Sequence, residues 1–375
     1  MGRAREIHPV AVSHFSEDTG VVEIVDSAEE AAALALPPLL VRDAVERFLD
    51  DCGLGRGRIE AEQVGEGHSN VTYRITRSGA QVVLRRPPRP PLPPSAHDVL
   101  REARVLRGLE GSGVPVPHVL ATCEDESLLG VPFYVMEYLD GVTLTAVTPP
   151  GLRDPAHRAA LAQQLISALA ALHAVDWEAH GLAGLGRPQG YLERQVRRFA
   201  GLWDIGRTRE LPELDEVTEW LRANLPESGP ATIVHGDYRI GNLIYAGAPP
   251  VRLLGVVDWE MATLGDPLAD VGYLCANLAE RGDAGNVMTE LQPVTRETGF
   301  PGSRELAQRY ADLTGRSVEG LAWYRVLAVW KSAIFLEQSY KRFLSGNEHD
   351  PWFAAMGDGV PGLAARARRE AGLEA

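Results

Sequence analysis

Lysine is nearly missing from this 375-residue chain. Of its 37 basic side chains only Lys331 and Lys341 are lysines, so any cation needed in the first 330 residues must be arginine. Cysteine is scarce too. Cys52, Cys123 and Cys275 are odd in number, far apart and in no CxxC pair. That argues against a disulfide framework or a zinc cluster, suits a reducing cytoplasm, and leaves three buried thiols as the simplest expectation. No stretch is long and apolar enough to span a bilayer, and the polar first thirty residues lack the form of a secretory signal. Positive charge is short overall. A formal net charge of −14 argues against nucleic acid or an anionic membrane surface as a partner, while leaving a local anion pocket open. No fixed-period repeat is visible, which excludes a solenoid or propeller.

What is present is ordinary globular material, 45% hydrophobic and 23% charged, enough for a sizeable core. Residues 1–36 read as a loose leader, followed by a short helix through Leu40, Ala44 and Phe48. From 57 to 138 the pattern is short strands with one helix. Val71, Tyr73 and Ile75 alternate with Thr72 and Arg74, as in a half-buried strand. Gln81 to Arg86, Val119 to Cys123 and Pro132 to Tyr138 are further strands, and 97–110 reads as a helix with Val99, Ala103 and Leu106 on one face. This predicts a five-stranded, one-helix lobe over 37–138.

Asp140–Gly141 is a turn signal and a hinge candidate. Beyond it the chain, 139–375, is mostly helical. Asp154–Pro155 is a helix start, and helices are expected near 189–204, 211–224, 265–280, 303–313, 318–343 and 351–372. One β island, Thr232 to Asp258, interrupts them. The expected class is α+β: a small β-rich N-lobe and a larger helical C-lobe.

The strongest motif lies in that island. Val234-His235-Gly236-Asp237-Tyr238-Arg239-Ile240-Gly241-Asn242 places an Asp and an Asn five positions apart after an apolar strand. Sixteen positions beyond Asn242, Asp258 ends another apolar strand. Phosphoryl transfer from ATP needs such parts: one carboxylate to take or orient the acceptor's hydroxyl proton, and a second carboxylate with an amide oxygen to hold Mg²⁺ on the phosphates. Singly, such residues usually close turns or cap helices. Together, each after an apolar strand, they point to chemistry.

Val64-Gly65-Glu66-Gly67-His68-Ser69-Asn70 precedes a strand, so it suits a hairpin covering phosphates and not a dinucleotide-binding loop, which must open a helix. An ordinary hairpin turn fits it as well. There is no P-loop motif, and Asn70 stands where the protein-kinase glycine loop has its third glycine. The next strand, Val82-Val83-Leu84-Arg85, occupies the place of Val-Ala-Ile-Lys. Period two puts Val83 and Arg85 on one face; the likeness to the kinase strand implies Val83 against the adenine, Arg85 on the phosphates and Glu102 as the partner of Arg85. Solvated charges are the plainer alternative for that pair.

The HxDxxxxN pattern, the strand-end aspartate, Asp-Trp-Glu and Gly-Asp-Pro-Leu-Ala-Asp at 265–270 resemble the aminoglycoside phosphotransferase-like family of kinase-fold small-molecule kinases. They are especially similar to the branch whose kinase-like domains sit beside acyl-CoA dehydrogenases. The resemblance covers roughly 57–345. It implies a protein-kinase-like two-lobed fold, with ATP and Mg as cofactors. It implies Asp237 as catalytic base, Asn242 and Asp258 as magnesium ligands, and Asp270 as a brace for the catalytic loop. Glu137 and Tyr138 match the strand and linker where the backbone holds adenine. His173, near a helix end, reads as structural.

Only twelve positions separate Asp258 from Asp270, with no Ala-Pro-Glu between them. A protein kinase carries a much longer segment there to dock a peptide. The expected partner is therefore a small-molecule hydroxyl acceptor. Arg194, Arg197, Arg198 and Arg207 lean toward an anionic one such as a hydroxyacyl-CoA, while a plain solvated arginine face explains them equally well. An aminoglycoside acceptor, or a catalytically dead nucleotide-binding protein, are the alternatives.

Overall fold

The computed structural model describes residues 23–65, 70–90, 92, 97–346 and 350–373. Two compact units emerge. One holds the described residues up to Leu100 together with Leu120–Tyr138, and the other holds Arg101–Val119 with everything from Leu139 onward.

The first unit begins inside the expected leader. β1 (Ile24–Val25) and α1 (Ala28–Ala32) precede β2 (Leu40–Val41) and α2 (Arg42–Asp51). β1 pairs with β2 in parallel, Ile24 against Leu40. Residues 23–36 thus carry structure that no local periodicity announces, because two-residue strands show no alternation. β3 (Arg56–Gln63), β4 (Val71–Ser78) and β5 (Ala80–Arg86) follow, then α3 (Val99–Leu109), β6 (Val119–Cys123) and β7 (Phe133–Glu137). The sheet order is β3-β4-β5-β7-β6, five strands as expected, of which the sequence locates all but β3.

Alternation sets the two faces of this sheet. Val71, Tyr73 and Ile75 of β4, Val82 and Leu84 of β5, and Phe133 and Val135 of β7 are buried in one cluster with Val45 and Leu49 of α2. Each such side chain contributes about 1.5–3 kcal/mol by leaving water. Arg86 shares this inward parity and is 1% exposed. Its guanidinium donates to the carbonyls of Leu39, Leu129 (3.3 Å) and Pro87 (2.8 Å), which ties the end of β5 to β2 and to the turn before β7. Burial pulls its pKa down to about 10. Arg77 is likewise enclosed and holds Asp50 of α2 at 2.6 Å. Cys52, expected to be buried, is exposed, because it caps the C-terminal end of α2 on the solvent side.

The second unit takes most of α3, whose residues from Arg101 group here and not with the sheet. It continues with β8 (Val142–Thr143), α4 (Pro155–Leu172), α5 (Tyr191–Gly206) and α6 (Pro212–Ala223). The island follows as β9 (Thr232–Val234), β10 (Leu243–Tyr245), β11 (Leu253–Val256) and β12 (Thr263–Gly265). α7 (Leu268–Asn277), α8 (Ser303–Thr314), α9 (Leu321–Leu344) and α10 (Met356–Glu370) complete it. Asp154 caps α4, its carboxylate accepting the Ala156 N–H at 2.7 Å. Leu161, Leu165, Leu169 and Leu172 of that helix are buried. α5, α6, α9 and α10 share one apolar core that includes Trp203, Trp323 and Trp330. No described helix is long and apolar enough to cross a membrane.

Candidate active site

The island is two small sheets, and each delivers one end of the site. β9 pairs with β12, Val234 against Thr263. β10 pairs with β11, Leu243 against Val256. The loop from Val234 to Asn242 leaves the first sheet and enters the second.

Asp270 holds the start of that loop. Fully buried in the first turn of α7, it accepts the His235 N–H at 2.7 Å and the Gly236 N–H at 2.8 Å. His173 Nε2 is 3.2 Å from the same carboxylate, and the Tyr310 hydroxyl lies 2.8 Å from His173 Nδ1. Burial alone would raise the Asp270 carboxyl. The bonds and charges of His173, with the N–H of Gly236, outweigh it and hold the group below the ordinary carboxylate range. The bracing role expected for Asp270 is thus visible as bonds, and His173 at the end of α4 serves the same brace.

The His235 ring fixes the rest of the turn. Its Nδ1 accepts the Asp237 N–H at 3.2 Å, which leaves Nε2–H to donate to the Val257 carbonyl at 3.0 Å. The ring packs on Trp259 with centroids 4.6 Å apart. Gly236 has φ +87°, and a Cβ there would meet the Met261 carbonyl oxygen at 2.8 Å, so no other residue fits. Tyr238 turns inward, its hydroxyl donating to the Leu165 carbonyl of α4 at 2.7 Å. The loop is therefore pinned on both flanks while Asp237 remains at the surface of the pin.

Asp237 and Asn242 meet. The Asn242 amide nitrogen donates to Asp237 Oδ2 at 2.8 Å and to the Asp237 carbonyl at 2.9 Å. The other carboxylate oxygen, Oδ1, is buried and accepts no hydrogen bond among the described residues; Arg239 Nε stands 3.5 Å from it. The Val257 N–H donates to the Asn242 carbonyl at 3.0 Å, which sets Asp258 next to the Asn242 strand end. Asp258 has φ +68°, a left-handed conformation uncommon for a residue with a Cβ and typical of functional turns. Glu102 of α3, 1% exposed, accepts the neighbouring Trp259 N–H at 3.1 Å. Arg101 donates to the carbonyls of Leu185, Glu260 and Ala262. α3 thus supports the Asp258 turn from below.

Three neighbours of these side chains had no role assigned from the sequence. Arg239, inside the motif, faces both carboxylates: burial works to lower its pKa, but Asp237, Tyr273 and Asp258 raise it on balance. The Tyr273 phenol of α7 lies beside Asp237, and burial foremost, with that negative charge, pushes its pKa far up. Lys331 of α9 lines a cavity with Gly236, Asp270 and Tyr273. Arg239 could have been found from its place within the loop. Tyr273 and Lys331 come from distant helices, and no local pattern marks them.

In the first unit, the positions foreseen for nucleotide contact keep their own geometry. Gly65 has φ +82° at the end of β3, where the Val64 N–H still donates to the Thr72 carbonyl. Gly67 and Ser69 lie outside the described residues. Val83 and Arg85 share a face, as period two requires, opposite the one that packs on α2. Arg85 Nη1 is 3.3 Å from the Thr72 hydroxyl. Glu137 ends β7 opposite Val82, and the Tyr138 ring carries the Arg74 guanidinium at 4.9 Å. Asn70, in place of a glycine, is 2% exposed, with its amide oxygen 3.2 Å from His97 Nδ1, so this position asks for a polar side chain. Of the arginines considered for an acceptor, Arg194 is turned to the carbonyls of Arg187 and Gln189, and Arg207 pairs with Glu210. Arg197 and Arg198 are exposed.

Among the described residues no group of three His, Cys, Asp or Glu side chains could enclose a metal. Magnesium does not need one, since it keeps several waters and takes one or two protein oxygens. Asn242 fits: its nitrogen is committed to Asp237, which leaves the amide oxygen for a hard cation. Asp258, on the adjoining strand end, could supply the carboxylate.

Comparison with known proteins shows the family and the fold. The pattern of the phosphotransferase enzyme family matches residues 60–311. Acyl-CoA dehydrogenase family member 10 of Mus musculus is 35% identical over 316 residues, covering 81% of this chain and 29% of that protein. Acyl-CoA dehydrogenase family member 11 of Gallus gallus is 34% identical, covering 81% of this chain and 40% of that one. The chain therefore spans well under half the length of these relatives. A crystal structure of a putative aminoglycoside phosphotransferase from Ralstonia eutropha superposes with TM-score 0.75 at 30% identity, covering 88% of this chain and 98% of the other. A thermostable aminoglycoside phosphotransferase mutant solved with AMP-PNP and hygromycin B superposes at 0.57 with 19% identity, a likeness of fold. The fold is kinase-like, with a β-rich N-terminal part and a helical C-terminal part, and the chain belongs to the phosphotransferase enzyme family.

Proposed function

We propose that the chain is an ATP- and magnesium-dependent phosphotransferase acting on a hydroxyl of a small molecule. The observation that carries this is the Asp237 carboxylate: one oxygen is fixed by Asn242, and the other accepts no hydrogen bond among the described residues, with Arg239 Nε 3.5 Å away and the Tyr273 phenol beside the group. That carboxylate would accept the acceptor's hydroxyl proton as the hydroxyl oxygen bonds to the γ-phosphorus of ATP and the bond to ADP breaks. Arg239 sets positive charge where the two carboxylates would otherwise repel. Tyr273 walls Asp237 on the α7 side.

Magnesium, held by Asn242 and Asp258, would neutralise charge on the phosphates. Arg85 would hold nucleotide phosphate, which its guanidinium fork can grip bidentately. Val83 would lie under the adenine, with the backbone at Glu137 and Tyr138 along its edge. The Gly65 turn would begin the phosphate cover. An anionic alcohol such as a hydroxyacyl-CoA is the acceptor we favour, and the acyl-CoA dehydrogenase names of the relatives lean the same way. The free thiols suit a reducing compartment such as the cytoplasm.

Mass spectrometry of Mg·ATP reactions with hydroxyacyl-CoA esters, aminoglycosides, choline-like alcohols and simple sugars tests the reading. A phosphorylated acceptor from one class supports it. ATP bound but no phosphorylated product from any class speaks for a nucleotide-binding protein without turnover.

A further inference from the structure

The second unit holds a cation that the mechanism above does not use. Lys331 sits near the middle of α9, and its ammonium lies 4.7 Å from the centre of the Phe199 ring of α5. It lines a cavity of about 20 Å³ together with Tyr191 of α5, Asp270 and Tyr273 of α7, and Tyr324 of α9. The cavity reaches Gly236, the residue before Asp237. A space of this size receives a single oxygen-sized atom.

The charge around the ammonium is unbalanced. Among the described residues no carboxylate lies within ion-pair distance of Lys331. Asp270 is the nearest negative group by its effect, but its oxygens are taken by His173, His235 and Gly236. Arg198, exposed on α5, adds a second positive charge nearby. Burial first, and Arg198 second, pull the Lys331 pKa down to about 8, so the ammonium is held there against its preference.

The choice of residue is informative as well. This chain uses arginine for 35 of its 37 cations, the total less Lys331 and Lys341. A planar guanidinium needs more room than a compact ammonium. At this small cavity the chain departs from its habit.

We propose that Lys331, assisted by Arg198, is an anion subsite at the foot of the catalytic loop that takes a carboxylate or phosphate oxygen of the acceptor. The subsite rests on the phosphotransferase reading above and sharpens it. The acceptor's hydroxyl reaches Asp237 while its anionic end is held on α9. Neutral alcohols and polycations lack the group this site recognises.

The two lysines make the test direct. In full-length protein labelled with ¹³C at lysine Cε, NMR should resolve two signals, assigned with Lys331→Met and Lys341→Met. Acetate and inorganic phosphate are added separately at constant ionic strength, with chloride as control. The Lys331 signal should shift and saturate with acetate, with phosphate, or with both, which tells the two anion types apart. Lys341, which donates to the Ile205 carbonyl at the surface, should not respond. Arg198→Gln should weaken the Lys331 response several-fold. A Lys331 signal no more responsive than Lys341 overturns the subsite.

This outcome is separable from the kinase reading. An anion response without phosphorylation of any acceptor leaves the subsite standing and sinks the kinase. If acceptors are phosphorylated, Lys331→Met should raise KM roughly ten-fold or more for anionic acceptors and leave neutral ones unchanged. Equal KM for anionic acceptors in wild type and Lys331→Met removes the subsite and leaves the kinase.

Discussion

The two units carry their chemistry in different materials. In the second, function is written in side chains that bond across long stretches of sequence: Asp270 to the loop at 235–236, Asn242 to Asp237, Glu102 to Trp259. In the first, a twisted sheet presents backbone and one face of β5, and its buried polar groups, Arg86 and Arg77, serve the sheet's own architecture. A catalytic loop must hold a carboxylate within tenths of an ångström, so it needs a buried network behind it. The nucleotide cover proposed for the first unit needs mainly an edge, a turn and a cation.

The contrast can be broken by substitution. Asp270→Ala should cost the most, about 3–5 kcal/mol by chemical denaturation, because it strands the N–H groups of His235 and Gly236 and the ring of His173 in the interior. Should that variant fail to fold, Asp270→Asn keeps the shape without the charge and should still lose stability. Arg86→Met should cost about 2 kcal/mol, since several carbonyls of the first unit lose a charged donor. It should leave acceptor binding untouched. A larger loss for Arg86→Met than for Asp270→Ala would reverse the comparison. Gly65→Ala should cost about 1 kcal/mol or less, the strain of a left-handed turn.

Acid sharpens the same comparison. The folded-state pKa of Asp270 is depressed below its unfolded value. Its contribution is therefore fully present above the ordinary carboxylate range and is lost as pH falls through the depressed value. Wild type should lose stability on acidification below about pH 4, and Asp270→Asn should show a flatter profile there. Equal slopes would mean that the brace is not carried by the charge.

Legibility did not follow that divide. The stretch from 234 to 258 could be read because Asp237 and Asp258 each follow an apolar strand, and the hairpin between Asn242 and Asp258 brings those two to one edge. The five-stranded sheet was equally clear, since Val71, Tyr73 and Ile75 alternate visibly. β1 and β8 were invisible, as two-residue strands exist only through partners far away in sequence. The inward arginine at 86 also ran against expectation, because a charged side chain rarely occupies a core position without carbonyls to receive it. Lys331 and Tyr273 reach the loop only through the packing of α9 and α7, and Cys52 is exposed only because α2 ends there.

The central claim is that the second unit moves a phosphoryl group with Asp237 as the base. It is tested most directly by acceptor-stimulated ADP release from Mg·ATP, comparing wild type with Asp237→Asn at matched nucleotide occupancy. The account predicts release stimulated by one class of hydroxyl acceptor, and a fall of roughly 10²–10⁴-fold in the variant with nucleotide binding retained. Stimulated release at a near wild-type rate in Asp237→Asn would contradict it.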